Sequence, residues 1–306
     1  MIIRKMMVML AASVAFIVHG ATWGHAAGGG HDHHDHEMHR HASGPAGLQP
    51  VVDLETAPAV ITAGNPATIT FTIRDDSNNP LKDLVITHDR LIHVVIISED
   101  LSVFGHIHTE DIGPITAEMK ERAEFPVRFT FPKAGRYAIA VDFAVRDKGY
   151  SELLDLEVSG SPAMGSVHRD LSREKVFDGY SVKLAVSPEQ PVAGKETMLR
   201  YTILKDGTPV TDIEPYLSAA MHLAVINEGA GKYFVHAHGD RPGAMQHTGH
   251  EGHMASHMEH SSPPGAVYGP EIEARVVFPA KGMYKIFSEI RHQGKVRLLD
   301  FMVNVQ

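Results

Sequence analysis

The chain has 306 residues, 43% hydrophobic and 21% charged, the composition of a globular protein long enough for two domains. A formal net charge of −9 excludes sequence-independent binding to nucleic acid, which needs a basic surface. Cysteine is absent, so disulfides, thiolate nucleophiles and thiolate metal ligands are excluded, whereas histidine occurs 22 times.

Residues 1–26 read as a secretory signal. Arg4 and Lys5 form a charged start, and the apolar run from Met6 to Val18 is shorter than the roughly 20 residues a membrane helix needs. Cleavage after Ala26 would leave Gly24 and Ala26 at the −3 and −1 positions. An uncleaved anchor is the alternative. No cysteine follows the run, which excludes a lipoprotein anchor. An exported, cysteine-free bacterial chain is expected in the periplasm, with no membrane span once the signal is removed.

Residues 27–50 lack apolar periodicity and read as disordered. Their centre holds His31, His33, His34, His36, His39 and His41, interleaved with Asp32, Asp35 and Glu37. Neutral imidazoles at that density chelate divalent ions of the zinc, nickel and copper type. The alternative is a solvated tail.

From residue 51 the texture becomes that of short strands. Residues 51–55 are β-rich. Residues 68–74 alternate strictly, with Ile69, Phe71 and Ile73 on one face. A turn cluster at 75–80 leads to a hairpin over 91–108, and 109–123 form a polar connector with a helical turn at 117–122. Strands follow at 125–131, 136–145 and 151–158. Such strands, spaced by turn signals, imply an immunoglobulin-like β-sandwich over 51–160. After a linker at 161–178, a second sandwich over 179–306 retraces the first. The fold expected is therefore all-β, two tandem sandwiches packed as beads, with no long helix after residue 26.

Three histidines keep register between the two halves. His93 maps onto His222 at an offset of 129, and His106 and His108 map onto His236 and His238 at 130. In a strand, residues two apart share a face, so each H-x-H pair projects side by side and can close on one ion. His93 and His222 become third ligands if each hairpin returns them beside the pair. A hydrogen-bonded strand histidine is the bland alternative for any one of them, but a triplet repeated in register favours a site. Asp142 aligns with Glu289, each an acid within an apolar strand. A buried carboxylate needs a partner: a metal ion, a ligand imidazole or an arginine. His292 is a weaker candidate, and His88 and His168 read as surface residues.

By the strand at Phe278–Tyr284, matching Phe131–Tyr137, the offset has grown to 147, so the second half has gained 17 residues. They lie in a loop over 240–267 that carries Met245, His247, His250, His253, Met254, His257, Met258 and His260. Thioether and imidazole together suit copper, Cu(I) above all. Ordinary loop methionines are the alternative.

The run from Ile92 to His108 resembles a signature of exported bacterial β-sandwich modules that read roughly M-H-L, then D-L-x-x-F-x-H-x-H-P. It is similar, more loosely, to YtkA-like domains and to CopC-type copper-resistance proteins. The resemblance covers most of 60–160 and, more weakly, 180–306. It implies copper or heavy-metal handling by His93, His106 and His108, and by His222, His236 and His238. Thr109 and Gly239 stand where the signature has proline, and Asp100 and Leu101 have no counterpart in the second half.

The expected function is a periplasmic metal-binding protein, copper first, zinc or nickel second, that buffers the ion or passes it to another carrier or to an efflux or uptake component. No G-x-S-x-G elbow, P-loop or dinucleotide fingerprint is present, so the expectation is a non-enzyme. The rivals are a metal-dependent oxidoreductase and a structural sandwich module without metal.

Overall fold

The computed structural model describes residues 48–161, 167–229, 232–244 and 262–306. The expected signal, the 31–41 histidine tract and the ligand residues of the 240–267 loop, Met245 to His260, lie outside them.

The first sandwich comprises β1 (Val51–Ala57), β2 (Pro66–Arg74), β3 (Leu84–Val85), β4 (Ile92–Ser98), β5 (Phe104–Ile107), β6 (Glu124–Thr130), β7 (Gly135–Val145) and β8 (Lys148–Val158). One sheet is β1-β2-β6; the facing sheet is β3-β7-β4-β5, with β8 also on β7. Between β5 and β6 lie a single 3-10 turn, Thr109–Asp111, and one helix, α1 (Ala117–Arg122), where the helical turn was expected. Thr116 caps α1 by accepting from the Met119 N–H at 3.1 Å. No other α-helix occurs among the described residues.

The second sandwich adds β9 (Glu174–Phe177), β10 (Tyr180–Ser187), β11 (Glu196–Lys205), β12 (Thr208–Pro209), β13 (Met221–Asn227), β14 (Phe234–Asp240), β15 (Glu271–Val277), β16 (Gly282–His292) and β17 (Lys295–Val305). The stretch expected as linker over 161–178 thus ends in a strand, β9, paired with β10. Here β14 also pairs with β15 through Gly239↔Ala274 and Asp240↔Glu273, joining the two layers into one nine-stranded sheet. A Cβ at Gly239 would stand 2.6 Å from Ile272 Cγ2, so only glycine permits that close approach.

Each sandwich has its own core, centred on Phe71, Phe125, Phe131 and Tyr137 in the first and on Tyr201, Phe278, Tyr284 and Phe301 in the second. Each also has a tyrosine corner. The Tyr137 hydroxyl donates to the Lys133 carbonyl at 2.8 Å, and the Tyr284 hydroxyl to the Ala280 carbonyl at 3.0 Å. Both are devices of immunoglobulin-like sandwiches, and the all-β tandem architecture is as expected.

The packing of the two sandwiches is not that of beads. All seven residues of β4 are buried. Ile92, Val94 and Ile96 enter the first core, while Val95 and Ile97 enter a third cluster shared with the second sandwich. In β13, Leu223 and Val225 face the second core, and Ala224 and Ile226 face this shared layer. Ala138 and Ala140 of β7, Phe287 of β16 and Met302 of β17 complete it, with the Phe104 and Phe287 rings stacked 4.7 Å apart. The physical reason lies in the sequence. Four consecutive apolar residues, Val94 to Ile97, cannot alternate, so both faces of the strand require cover. The two hairpin-bearing sheets cover each other, within one compact unit.

Candidate metal centre

The polar end of that shared layer is where the histidines lie. Strand period places His93 with Val95 and Ile97 on the face toward the second sandwich, and His222 with Ala224 and Ile226 on the face toward the first. His222 pairs with His238, and Ala224 with His236. Val95 pairs with His106 in the same way, which brings His108 beside His93. On the other flank His93 pairs with Asp142, and His222 with Glu289. Each sandwich therefore presents three histidines and one acid on a single face.

In the first sandwich three ring nitrogens converge. His93 Nδ1, His106 Nε2 and His108 Nε2 are each 3.2 Å from the other two. The outer nitrogen of each ring is already engaged. His93 Nε2–H donates to the Thr87 carbonyl at 3.0 Å, His106 Nδ1–H to Glu289 Oε2 at 2.7 Å and His108 Nδ1–H to Asp111 Oδ2 at 3.3 Å. Those acceptors assign the protons outward and leave three lone pairs aimed at one point. A tetrahedral ion with metal–nitrogen bonds of about 2.0–2.1 Å holds its ligand nitrogens about 3.3–3.4 Å apart. A trigonal-planar ion would need about 3.5–3.6 Å. The observed spacing therefore fits three corners of a tetrahedron, and the residues present fit a zinc- or copper-sized ion.

The second sandwich repeats the wiring with a difference. His222 Nδ1 and His236 Nε2 are 3.3 Å apart. His222 Nε2–H donates to the Leu217 carbonyl at 3.1 Å, and His236 Nδ1–H to Asp142 Oδ2 at 2.7 Å. His238 packs against His222 and His236, with ring centroids 4.6 and 4.8 Å away. The residue that sequence reading missed is His88. Expected on the surface, it is half-buried with its ring 3.8 Å from that of His238, and its nitrogen lies within 4.8 Å of those of His222 and His238. No periodic signal marks it, because it sits in a turn whose placement depends on the other sandwich.

The acids act across the boundary. Glu289 belongs to the second sandwich and orients His106 of the first; Asp142 belongs to the first and orients His236 of the second. Both expected acids thus serve as acceptors for ligand-type imidazoles rather than pointing into a triad. The two triads are also neighbours: the His93 and His222 rings stack at 6.2 Å, and the His93 and His236 centroids are 5.4 Å apart.

The chain matches the family model described as "Domain of unknown function (DUF8832)" over residues 49–160 and again over 174–306. It belongs to this family. Each DUF8832 match covers one sandwich, and the second begins at β9. No curated protein matches the sequence. Solved structures similar to it include the Escherichia coli adhesin FdeC, at 13% identity over 83% of this chain and 64% of that one, with a TM-score of 0.22. Invasin, a bacterial integrin-binding protein, is 10% identical over 84% and 39%, at 0.22. A Salmonella alpha-2-macroglobulin mutant is 11% identical over 86% and 16%, at 0.27. The chain spans less than two thirds of each.

Burial sets the charge state of the DUF8832 histidine layer. It pushes His93, His106 and His222 well below the ordinary imidazole value, and the neighbouring histidines push the same way. These rings stay neutral, as ligation requires, into acid. Burial moves the Glu289 carboxyl the opposite way, up to about 7, with His108 and His236 opposing.

Two expected candidates lie elsewhere. His292 is buried between the Tyr180 hydroxyl at 2.7 Å and Asp212 Oδ1 at 3.0 Å, where its hydrogen bonds account for it. His168 is exposed, as expected.

Proposed function

We propose that this protein binds a transition-metal ion, copper in the first place, through His93, His106 and His108, and that it buffers the ion or hands it on in the periplasm. The observation that carries the reading is the triangle of three nitrogens 3.2 Å apart, each on a ring whose other nitrogen is bonded outward. Three buried lone pairs facing one point repel one another, and a cation neutralises them. An all-imidazole set suits copper, zinc and nickel, and the divalent affinity order places copper highest among them. The resemblance to exported copper-handling modules and the histidine and methionine tracts at 31–41 and 245–260 favour copper within that group.

The test is metal binding by the full chain after the histidines and methionines of the two tracts have been replaced by serine. A tight Cu(II) or Zn(II) ion that this chain retains, and that is lost with His93→Ala or His108→Ala, supports the reading. No bound ion in a folded chain sinks it. Competition between copper and zinc, together with the metal found in protein isolated from its native compartment, decides which ion it carries.

A further inference from the structure

We infer that the chain holds a second and unequal metal site, made from His222, His236 and His238 of the second sandwich and closed by His88 from the first. This rests on the reading of the first triad as a metal site and extends it.

The argument starts from the turn that carries His88. Thr87 and Arg90 bridge a two-residue turn, with the Thr87 N–H donating to the Arg90 carbonyl at 2.9 Å. Its central residues, His88 and Asp89, have φ of 48° and 64°. The second sandwich has the same turn: Tyr216 and Ala219 bridge it at 2.9 Å, and Leu217 and Ser218 have φ of 48° and 61°. Both are turns with two positive φ values, the kind that reverses a chain most tightly. At the repeat offset of 129, His88 corresponds to Leu217. Equivalent turns therefore present a ligand-type side chain in one repeat and an apolar one in the other.

The presented ring goes to the other sandwich. His88 lies 3.8 Å from His238 and 5.7 Å from His222, against 6.3 Å from His93. Its nitrogen shares a region less than 4.8 Å across with those of His222 and His238. His222 Nδ1 is in turn 3.3 Å from His236 Nε2. His88 thus joins His222 and His238 in one group of three nitrogens, and His236 stands against its His222 side, so four imidazoles line the second position where three line the first. Closed four-ligand sites hold an ion, and three-ligand sites keep a coordination position for an incoming group. The second site is accordingly the retaining one, and its fourth ligand crosses between sandwiches. The first is the one that exchanges its ion or accepts a small anion.

The experiment uses the full chain with the two tracts replaced by serine, loaded with Cu(II). Two ions per chain are expected. Azide, a small anion that takes an open coordination position, is expected to alter the spectrum of one ion only. His88→Leu, which installs the residue of the equivalent turn, is expected to weaken one of the two ions by about tenfold or more, the scale on which even outer-shell partners of a metal matter. It should also make both ions responsive to azide. His88→Asn, better suited to positive φ, is expected to do the same and guards against a folding defect. One ion in the parent chain, lost with His108→Ala, overturns this inference and leaves the first site standing. No ion at all sinks the proposed function and the inference with it. Two ions whose affinities and azide response are untouched by either His88 variant show that His88 is not a ligand.

Discussion

Glu289→Gln isolates the crossed wiring of the histidine layer. Glu289 Oε2 accepts from His106 Nδ1 at 2.7 Å, and the side chain is buried. Glutamine has the same shape and keeps an oxygen that can accept this bond, so neither a cavity nor an orphaned N–H is created. What is lost is the charge, which raises the basicity of His106 Nε2 toward a cation. Burial holds the Glu289 carboxyl at about 7, so near neutrality the metal-free chain gains little from that charge. A cation bound nearby would draw the group back to carboxylate. Mutating an outer-shell partner of this kind costs about 10–100-fold in metal affinity, or about 1.4–2.7 kcal/mol. The informative feature is where the loss falls. In a His222→Ala background, which leaves the first triad intact, Glu289→Gln should weaken Zn(II) binding by that factor. In a His106→Ala background it should add almost nothing, because its partner is gone. Zn(II) affinity is read by chelator competition at pH 7.5, with near-ultraviolet circular dichroism as the check on folding. A loss of equal size in both backgrounds would refute the crossed assignment.

Acid should separate the buried layer from the tracts: an ordinary imidazole titrates near 6.5, so at about pH 5.5 the 31–41 histidines are about 90% protonated and release their ions. The layer, with His93, His106 and His222 held well below that value, should keep its ion; parallel loss from both, in Zn(II) titrations at two pH values, would refute this. Stability of the metal-free chain should fall as pH drops below about 6.5. The unfolded chain takes up three protons that these histidines refuse when folded, whereas Glu289, raised from 4.5 to about 7, holds one proton only in the folded state above about pH 4.5. These histidines outnumber the one opposing carboxyl, so the unfolded chain binds the more protons on acidification and stability falls; urea midpoints that rise on acidification would contradict it. Phe287→Ala removes a ring that is 3% exposed and stacked on Phe104, so it should cost about 3–5 kcal/mol in urea unfolding and weaken ion binding as well. Destabilisation with unchanged metal affinity would mean that the shared layer does not hold the triads in place.

Much of this molecule is local and was legible for that reason. Strand period put His106 and His108 on one face, the repeat set His93 and His222 in register with them, and the turn signals bounded most strands. Asp142 and Glu289 stood out as acids in apolar strands, but their partners lie 94 and 183 residues away along the chain, beyond any periodic pattern. His88 was misread because a turn residue normally faces solvent, whereas here it packs against His222 and His238 of the second sandwich. The face-to-face packing did leave a trace, in the unbroken apolar run from Val94 to Ile97. A strand at the edge of a bead would have alternated.

The reciprocity of the two acid–histidine pairs bears on how the protein is assembled. Under the repeat, His106 corresponds to His236 and Asp142 to Glu289, so the two contacts exchange with each other: copy one lends an acid to copy two, and copy two returns one. That is the pattern of an isologous interface, the self-complementary contact of a symmetric homodimer. The protein is in effect such a dimer written as a single polypeptide, its linker holding the two subunits at high effective concentration. His88 opposite Leu217 is then a departure from symmetry that a true homodimer could not make, since identical subunits must carry the same residue in both turns. Joining the two repeats in one chain leaves the two histidine clusters free to differ. If so, a chain nicked by protease between Ser161 and Val167 should run as one particle in size exclusion, and separation into halves would count against this account.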